Sequence, residues 1–125
     1  MPWPMKRITI ALSSAGRRVE LMSCFRQDAA DLGLDARVLA LDANPDLSPA
    51  CLLADGCYKV PLCTDEAFIP FLGDLARNVG IDLLVPTIDT ELPVFATAQE
   101  YLERECGVRL VVVSSPALVG LARDK

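Results

Sequence analysis

The strongest constraint on the fold is a regular alternation of short apolar runs with longer amphipathic segments. Strands are predicted at residues 7–13, 36–41, 57–60, 82–85 and 109–113. In the longer segments between them, apolar residues recur at helical spacing. Strands that alternate with helices favour right-handed crossovers and a parallel sheet that is buried on both faces. We therefore predict a three-layer α/β fold with a five-stranded parallel, Rossmann-like sheet, formed as one domain by residues 1–125.

The helix boundaries are predicted from caps and breakers. Gly33 is expected to end the first helix. Thr64 is placed to cap the next long helix, and Pro70 is expected to make that helix begin late or kink. A single helical turn is predicted at residues 50–54, and a helix follows residues 86–91. Ser115 and Pro116, an N-cap followed by proline, indicate a last helix.

Composition excludes several classes of function. The net charge is −5, from 12 basic and 17 acidic side chains, which argues against a nucleic-acid or anionic-membrane partner. The chain has no histidine, so imidazole acid–base catalysis and histidine metal ligation are excluded within it. No apolar stretch is long enough to cross a membrane. The short apolar run after Lys6 and Arg7 is too brief for a secretory signal, and a cytoplasmic location is expected.

The cysteines indicate reduced thiols rather than a metal site. Their number is five, which is odd, and no two form a CxxC pair. Zinc sites need closely spaced ligand pairs, and secreted scaffolds generally have an even number of cysteines. We expect reduced and mostly buried thiols, and no metal site in this chain.

The loop that follows the first strand is the first candidate binding site. Ligands of open parallel sheets bind beyond the carboxyl ends of the strands. Ser14 and Gly16 let the backbone approach a ligand there, and Arg17 and Arg18 lie where a helix dipole disfavours cations. An anionic ligand would relieve this conflict. In the alternative, both arginines are solvated and Gly16 only makes the turn.

A dinucleotide site is less well supported. Asp42 ends the second predicted strand, where a Rossmann dehydrogenase holds a ribose hydroxyl. An aspartate that caps the turn at Asn44 and Pro45 explains the same residue at least as well. The glycine pattern GxGxxG and the Walker pattern are both absent.

The loop after the fourth predicted strand is the second candidate. Asp89 and Glu91 lie there two residues apart. Capping of the following helix is the favoured interpretation for either carboxylate. In the functional alternative, one of them faces the crevice and holds a ligand or contacts another domain. A phospho-receiver is excluded, because its acidic positions are filled here by Ser13, Ser14 and Pro61.

Three segments in register resemble a known family. ITIALSSAGRRVEL, IDLLVPTIDTELP and VVVSSPALVGLARDK are similar to the N-terminal, pre-ATP-grasp domain of ATP-grasp ligases, notably those like the carbamoyl-phosphate synthase large subunit. The resemblance covers essentially the whole chain. It implies a ligase that forms an acyl phosphate from a small carboxylate substrate with ATP and Mg²⁺, after which an amine displaces the phosphate.

The resemblance also implies roles for particular residues. Residues 14–18 match the family's first substrate-side loop, and Asp89 and Glu91 match the loop that approaches the active-site crevice. Asp124 and Lys125 match the segment that leads into the ATP-grasp subdomains. Lys125 is similar to a phosphate-contacting lysine of relatives such as biotin carboxylase, where a cation offsets phosphoryl charge.

The implied partners lie outside this chain. The adenine and magnesium sites of the family belong to later subdomains, so we expect the missing ATP-grasp domains in the same chain or in a split-gene partner. The isolated chain is then inactive, binds no cofactor tightly, and exposes an apolar surface that allows a homodimer. A stand-alone binding or regulatory module for a small anion or nucleotide is the alternative, and an NAD(P)-binding domain ranks below it.

Overall fold

A computed structural model describes residues 6–16 and 18–112. The five strands are β1 (Lys6–Ser13), β2 (Leu34–Asp42), β3 (Gly56–Lys59), β4 (Leu83–Pro86) and β5 (Leu110–Val111). The helices are α1 (Val19–Asp31), α2 (Pro49–Leu53), α3 (Phe68–Val79) and α4 (Leu92–Glu105). Short 3₁₀ turns lie at Pro45–Leu47 and Asp89–Glu91.

The strands form one parallel sheet in the order β3-β2-β1-β4-β5. The chain therefore winds outward from β1 to β3, then crosses back and continues from β4 on the other side of β1. The register aligns Ser13 with Leu41 on one side and with Pro86 on the other. The predicted five-stranded parallel sheet is confirmed, and its winding reverses between β1 and β4.

Helices cover the sheet on both faces because side chains alternate along each strand. Ile10 and Leu12 pack with Met22 of α1 on one face. Leu39 packs with Phe68 of α3 on the other face, where the α4 side chains also join the core. Each strand of the centre is thus apolar on both sides, and the predicted three-layer architecture is confirmed.

Helix α3 begins later than its predicted cap. The Asp65 carboxylate accepts the Ala67 N–H at 2.9 Å, so a turn occupies the residues after Thr64. Pro70 lies in the first turn of α3, where its missing N–H is not needed by the helix. The cap at Thr64 is therefore wrong, and the predicted late start is confirmed, since α3 begins at Phe68 with Pro70 in its first turn.

The ends of the described chain limit two further predictions. Strand β5 is shorter than predicted, and the helix predicted from Ser115 and Pro116 lies outside the described residues. Within the described part of the chain, no helix combines the length and apolar character needed to cross a bilayer.

The cysteines depart from the sequence prediction. Cys51 and Cys57 form a disulfide with a Cα–Cα distance of 5.1 Å. The prediction of reduced thiols is wrong for this pair, because the short connection between α2 and β3 brings the two residues together. Cys24 is exposed, Cys63 is half-buried and Cys106 is buried, and these three are free thiols.

Candidate functional site

The candidate site lies where the sheet reverses its winding. Open α/β sheets bind ligands outside the carboxyl ends of the strands at this switch point. Ser13 ends β1 and Pro86 ends β4, and the two residues are register partners. The loop of residues 14–18 and the loop of residues 87–91 therefore leave the sheet side by side.

Thr87 joins the two loops. Its N–H donates to the Ser13 carbonyl at 3.2 Å. Its hydroxyl lies 2.8 Å from the same carbonyl and 2.6 Å from the Ser14 carbonyl. Ser14 has a φ of 55° and is the single non-glycine residue in the left-handed region among the described residues. Such conformations persist where the surroundings enforce them, and they concentrate at functional sites.

Glu91 is the buried acid of the site. Its side chain is 1% exposed. Oε2 accepts hydrogen bonds from the hydroxyls of Ser13 at 2.9 Å and Ser14 at 2.6 Å. Oε1 is buried without a hydrogen-bond partner among the described residues. Buried acceptors without partners are uncommon and costly, which makes Glu91 a candidate for a role beyond the fold.

The surroundings favour the neutral form of Glu91. Burial raises the pKa of its carboxyl, and the negative charge of Asp42 adds to the rise. The hydroxyls of Ser14 and Ser13 and the Thr87 backbone act to lower the pKa, but burial outweighs them. Among the described ion pairs, none involves Glu91 or Asp42.

Gly16 is held in place at both of its backbone groups. Its N–H donates to Oδ2 of Asp42 at 2.8 Å. Its carbonyl accepts from the Ser48 hydroxyl at 2.8 Å and from the Ala50 N–H at 3.1 Å. Its φ of 45° lies in the left-handed region, where side chains other than glycine are strained. The first loop is therefore fixed from β2 and α2 as well as from β4.

Arg18 lies on the rim of this region. Its side chain is exposed, and one guanidinium nitrogen donates to the Thr87 carbonyl at 3.3 Å. Helix α1 starts next to it without a side-chain cap. A depression of about 840 Å³ adjoins this helix start and the end of β4, and its lining includes Arg18, Cys24 and Thr87. A guanidinium beside an uncapped helix N-terminus attracts anions.

The predicted site residues fall into three groups. Ser14, Gly16 and Glu91 meet at the switch point, and Arg18 lies at its rim. Asp89 lies exposed in the 3₁₀ turn before α4. The favoured capping role is wrong, because neither 3₁₀ turn nor α4 has a side-chain cap.

Two predicted residues lie outside the described part of the chain, namely Arg17 and Lys125. Asp42 does bond the turn that follows it, since Oδ1 accepts the Asn44 N–H at 2.8 Å. The capping interpretation of Asp42 is thus confirmed, and the same carboxylate has the additional bond to Gly16.

Sequence reasoning missed Ser13, Ser48 and Thr87. Each is a hydroxyl residue at or just after the end of a strand, or at the start of a helix, and each bonds the first loop or Glu91. The available signal was the pair of hydroxyl residues at the ends of β1 and β4. It becomes informative only when these two strands are known to be neighbours.

The described residues do not form a metal site. Among them, no three cysteine, aspartate or glutamate side chains lie close enough together to hold a metal ion. The arrangement instead offers one exposed arginine, Arg18, and the uncapped N-terminus of α1 beside two loops that Thr87 joins by hydrogen bonds. This combination suits recognition of an anionic group.

These features define a Rossmann-like domain with a candidate ligand crevice at its switch point. The model of the PylC-like N-terminal domain family matches residues 10–111, from the middle of β1 to the end of β5. The chain belongs to this family, and the predicted pre-ATP-grasp identity is confirmed. Among curated proteins, none matches the sequence significantly.

Proposed function

We propose that this chain is the substrate-side domain of an ATP-grasp ligase that joins a small carboxylate to an amine. The observation that carries the proposal is the placement of the 14–18 and 87–91 loops at the switch point of a domain in the PylC-like N-terminal family. ATP-grasp domains, in the same chain or in a partner chain, complete the enzyme.

The proposed ligand group on this domain is the carboxylate of the substrate. Arg18 has five N–H donors in a planar fork, and one of them holds the Thr87 carbonyl. The remaining donors suit a carboxylate, whose two oxygens accept parallel hydrogen bonds. The start of α1 adds a favourable dipole. Arg18 and the start of α1 orient the substrate. Gly16 has no side chain, so the substrate can approach the backbone of the loop closely.

The proposed reaction has two balanced steps. A substrate carboxylate oxygen attacks the terminal phosphorus of ATP, which gives an acyl phosphate and ADP. The amine then attacks the acyl carbon, the amide bond forms, and the C–O bond to phosphate breaks as the amine loses a proton. MgATP supplies the phosphoryl group when it is bound by the ATP-grasp domains. The role of this chain is to position the carboxylate and to shield it from water.

The metal and nucleotide sites are assigned to the other domains. The described residues do not cluster as ligands for Mg²⁺, and no step is placed on them. Lys125 remains the predicted phosphate contact at the entry to those domains, because a cation there offsets charge on the phosphoryl oxygens.

The proposal is tested on the full-length protein with its ATP-grasp domains. ADP release is screened against amino acids and other small carboxylates, and hydroxylamine is added to trap an acyl phosphate as a hydroxamate. The expected result is ADP release that depends on one class of carboxylate. Absence of hydroxamate with every carboxylate that stimulates ADP release would contradict the acyl-phosphate route.

Variants assign the substrate contact to this domain. Arg18→Ala should raise KM for the carboxylate about tenfold or more, the loss expected for a charged hydrogen bond. Arg104→Ala is the matched control, because Arg104 is also exposed and pairs with Glu100. It lies about 20 Å from Glu91 along α4. An equal change of KM in both variants would remove Arg18 from the proposed site.

The second candidate is a small-anion or nucleotide binding module that works without catalysis. The exposed Arg18 guanidinium and the uncapped start of α1 support this candidate as well. Titration calorimetry of the 125-residue chain with inorganic phosphate and with ADP distinguishes the two. Micromolar binding of either ligand favours the module, whereas the ligase proposal expects weak binding to the isolated domain. The predicted homodimer is checked by sedimentation of the same sample.

A further inference from the structure

Helix α2 is weakly supported for an element that holds a functional loop. It has only five residues, and Ala50 is its one buried residue. Leu52 is 87% exposed and Leu53 is 55% exposed. Helices this short are unstable on their own in water. Nevertheless, Ser48 and Ala50 at its start provide both donors to the Gly16 carbonyl.

The Cys51–Cys57 disulfide supplies the missing support. It joins α2 to β3 across six residues. Strand β3 is paired with the end of β2, where Lys59 is aligned with Asp42. The start of α2 donates to the Gly16 carbonyl, and Asp42 at the end of β2 accepts the Gly16 N–H. The disulfide therefore links the two elements that hold Gly16.

The disulfide is also accessible to small thiols. Cys57 is exposed and Cys51 is half-buried. Accessible disulfides undergo exchange with thiolates, and their formation is reversible. The sequence predicts a cytoplasmic location, and disulfides of cytoplasmic proteins are generally transient and often redox-sensing.

We propose that Cys51 and Cys57 form a reversible thiol–disulfide modification site that controls the order of the 14–18 loop. In the oxidised form, α2 is fixed and the Gly16 carbonyl keeps its two donors. In the reduced form, α2 frays and the loop loosens. The proposal adds regulation to the proposed function only through this loop, and its test needs no ligase activity.

The chemistry balances with a low-molecular-weight disulfide, RSSR, as oxidant. The exposed Cys57 thiolate attacks one sulfur of RSSR, which forms a mixed disulfide and releases RS⁻. The Cys51 thiolate then attacks the Cys57 sulfur, forms the protein disulfide and releases the second RS⁻. Two protein thiols lose two protons and two electrons, and RSSR becomes two RSH. A dithiol reverses both steps.

The remaining thiols serve as controls. Cys24 is exposed on α1 and lines the depression beside Arg18. Like Cys57 it is exposed, and it is not disulfide-bonded. A response that arises from Cys24 is therefore separated from the proposed one by the Cys24→Ser variant.

The experiment compares the 125-residue chain in glutathione disulfide and in dithiothreitol. Mass spectrometry after alkylation counts the thiols, and amide hydrogen exchange is followed residue by residue. Reduction should speed exchange at the Ala50 and Gly16 amides by about tenfold. The Thr9 amide, bonded to Asp82 at the other end of the sheet, should not change.

Variants complete the test. Cys51→Ser and Cys57→Ser in glutathione disulfide should exchange like the reduced wild type, and Cys24→Ser should respond like the wild type. Equal exchange at Ala50 in both redox states would overturn the proposal, as would loss of the response in Cys24→Ser. If either serine variant does not fold, the oxidised and reduced wild type still give the deciding comparison.

Discussion

The two ends of the sheet treat their acidic side chains differently. At the amino end, Asp82 accepts the Thr9 N–H and pairs with Arg109. Asp55, also at that end, accepts the Val38 N–H and pairs with Arg26. At the carboxyl end, Glu91 is more deeply buried than either, yet it pairs with no described cation and one of its oxygens has no described partner.

This difference separates structural acids from a candidate functional one. Asp82 and Asp55 each stabilise the sheet by accepting a strand N–H and pairing with an arginine. Glu91 bears a desolvation cost that no described cation offsets. Carboxyls with strongly altered surroundings in a crevice are candidates for function. Asp82 and Asp55 therefore stabilise the fold, whereas Glu91 is the candidate functional acid at the carboxyl end.

The largest expected effect is the loss of a structural acid at the amino end. Asp82→Ala leaves the buried Thr9 N–H without its acceptor, and it should lower the free energy of unfolding by about 2–3 kcal/mol. Asp35→Ala is the control, because this exposed acid pairs with Arg7 alone and should cost less than about 1 kcal/mol. Urea denaturation measures both, and equal losses would remove the distinction between structural and surface acids.

Reduction of the Cys51–Cys57 disulfide should lower the free energy of unfolding. The six-residue separation between Cys51 and Cys57 predicts a loss of about 2 kcal/mol from loop-closure entropy. Urea midpoints with and without dithiothreitol measure this loss. A shift of similar size in Cys51→Ser, where no disulfide can form, would assign the effect to the reductant instead.

Glu91→Gln should stabilise the protein at neutral and higher pH. The folded-state pKa of Glu91 lies above its ordinary value of 4.5, so the stability linked to its protonation is fully present below 4.5 and is lost as pH rises through the folded pKa. The neutral amide avoids this loss, and the variant should gain about 1 kcal/mol at pH 8 and nothing at pH 4. The free energy of unfolding of wild type and variant, measured from pH 4 to pH 8, checks this prediction, and an equal difference at both ends would contradict it.

Asp55→Asn should change stability in the opposite direction to Glu91→Gln. Burial acts to raise the pKa of Asp55, but the Val38 N–H and the Arg26 guanidinium outweigh it and hold the pKa below its ordinary value of 3.8. The carboxylate therefore stabilises the fold above pH 3.8, and this stability is lost as pH falls through the folded pKa. The variant should be less stable at pH 7, by under about 1 kcal/mol because the pair is part-exposed. If the free energy of unfolding changed with pH in the same way in Glu91→Gln and Asp55→Asn, the proposed difference between the two acids would be refuted.

Gly16→Ala should produce a small loss of stability and a selective change in function. Gly16 and Gly33 both have positive φ, and an added Cβ meets ordinary contacts or open space at each. Each alanine variant should cost about 1 kcal/mol. In the full-length protein, KM for the carboxylate should rise in Gly16→Ala and stay unchanged in Gly33→Ala. A rise in both would mean that the first loop has no special role.

The sequence predicts the layers of this fold better than its site. Near-continuous apolar runs identify β1, β2 and β4, since strands that are buried on both faces need apolar residues at successive positions. It does not give strand order, which decides that Ser13 and Thr87 are neighbours. It also does not distinguish Asp89 from Glu91, because the 3₁₀ turn sends one into solvent and the other into the interior.

The disulfide shows the same limit. Spacing alone says little about Cys51 and Cys57, and their pairing depends on how α2 packs beside β3. Parity and motif arguments predicted free thiols, and the tertiary contact overrode them. Local patterns thus predict elements, whereas contacts between distant segments require the topology.

The acyl-phosphate route of the proposed ligase is tested most directly by following the oxygen atoms of the substrate carboxylate. The full-length protein is incubated with ATP, an amine and the best carboxylate from the screen, labelled with ¹⁸O, and the released phosphate is examined by mass spectrometry. We expect one ¹⁸O atom in each phosphate, with turnover that falls in Arg18→Ala and not in Arg104→Ala. Release of unlabelled phosphate would contradict an acyl phosphate and with it the ligase assignment.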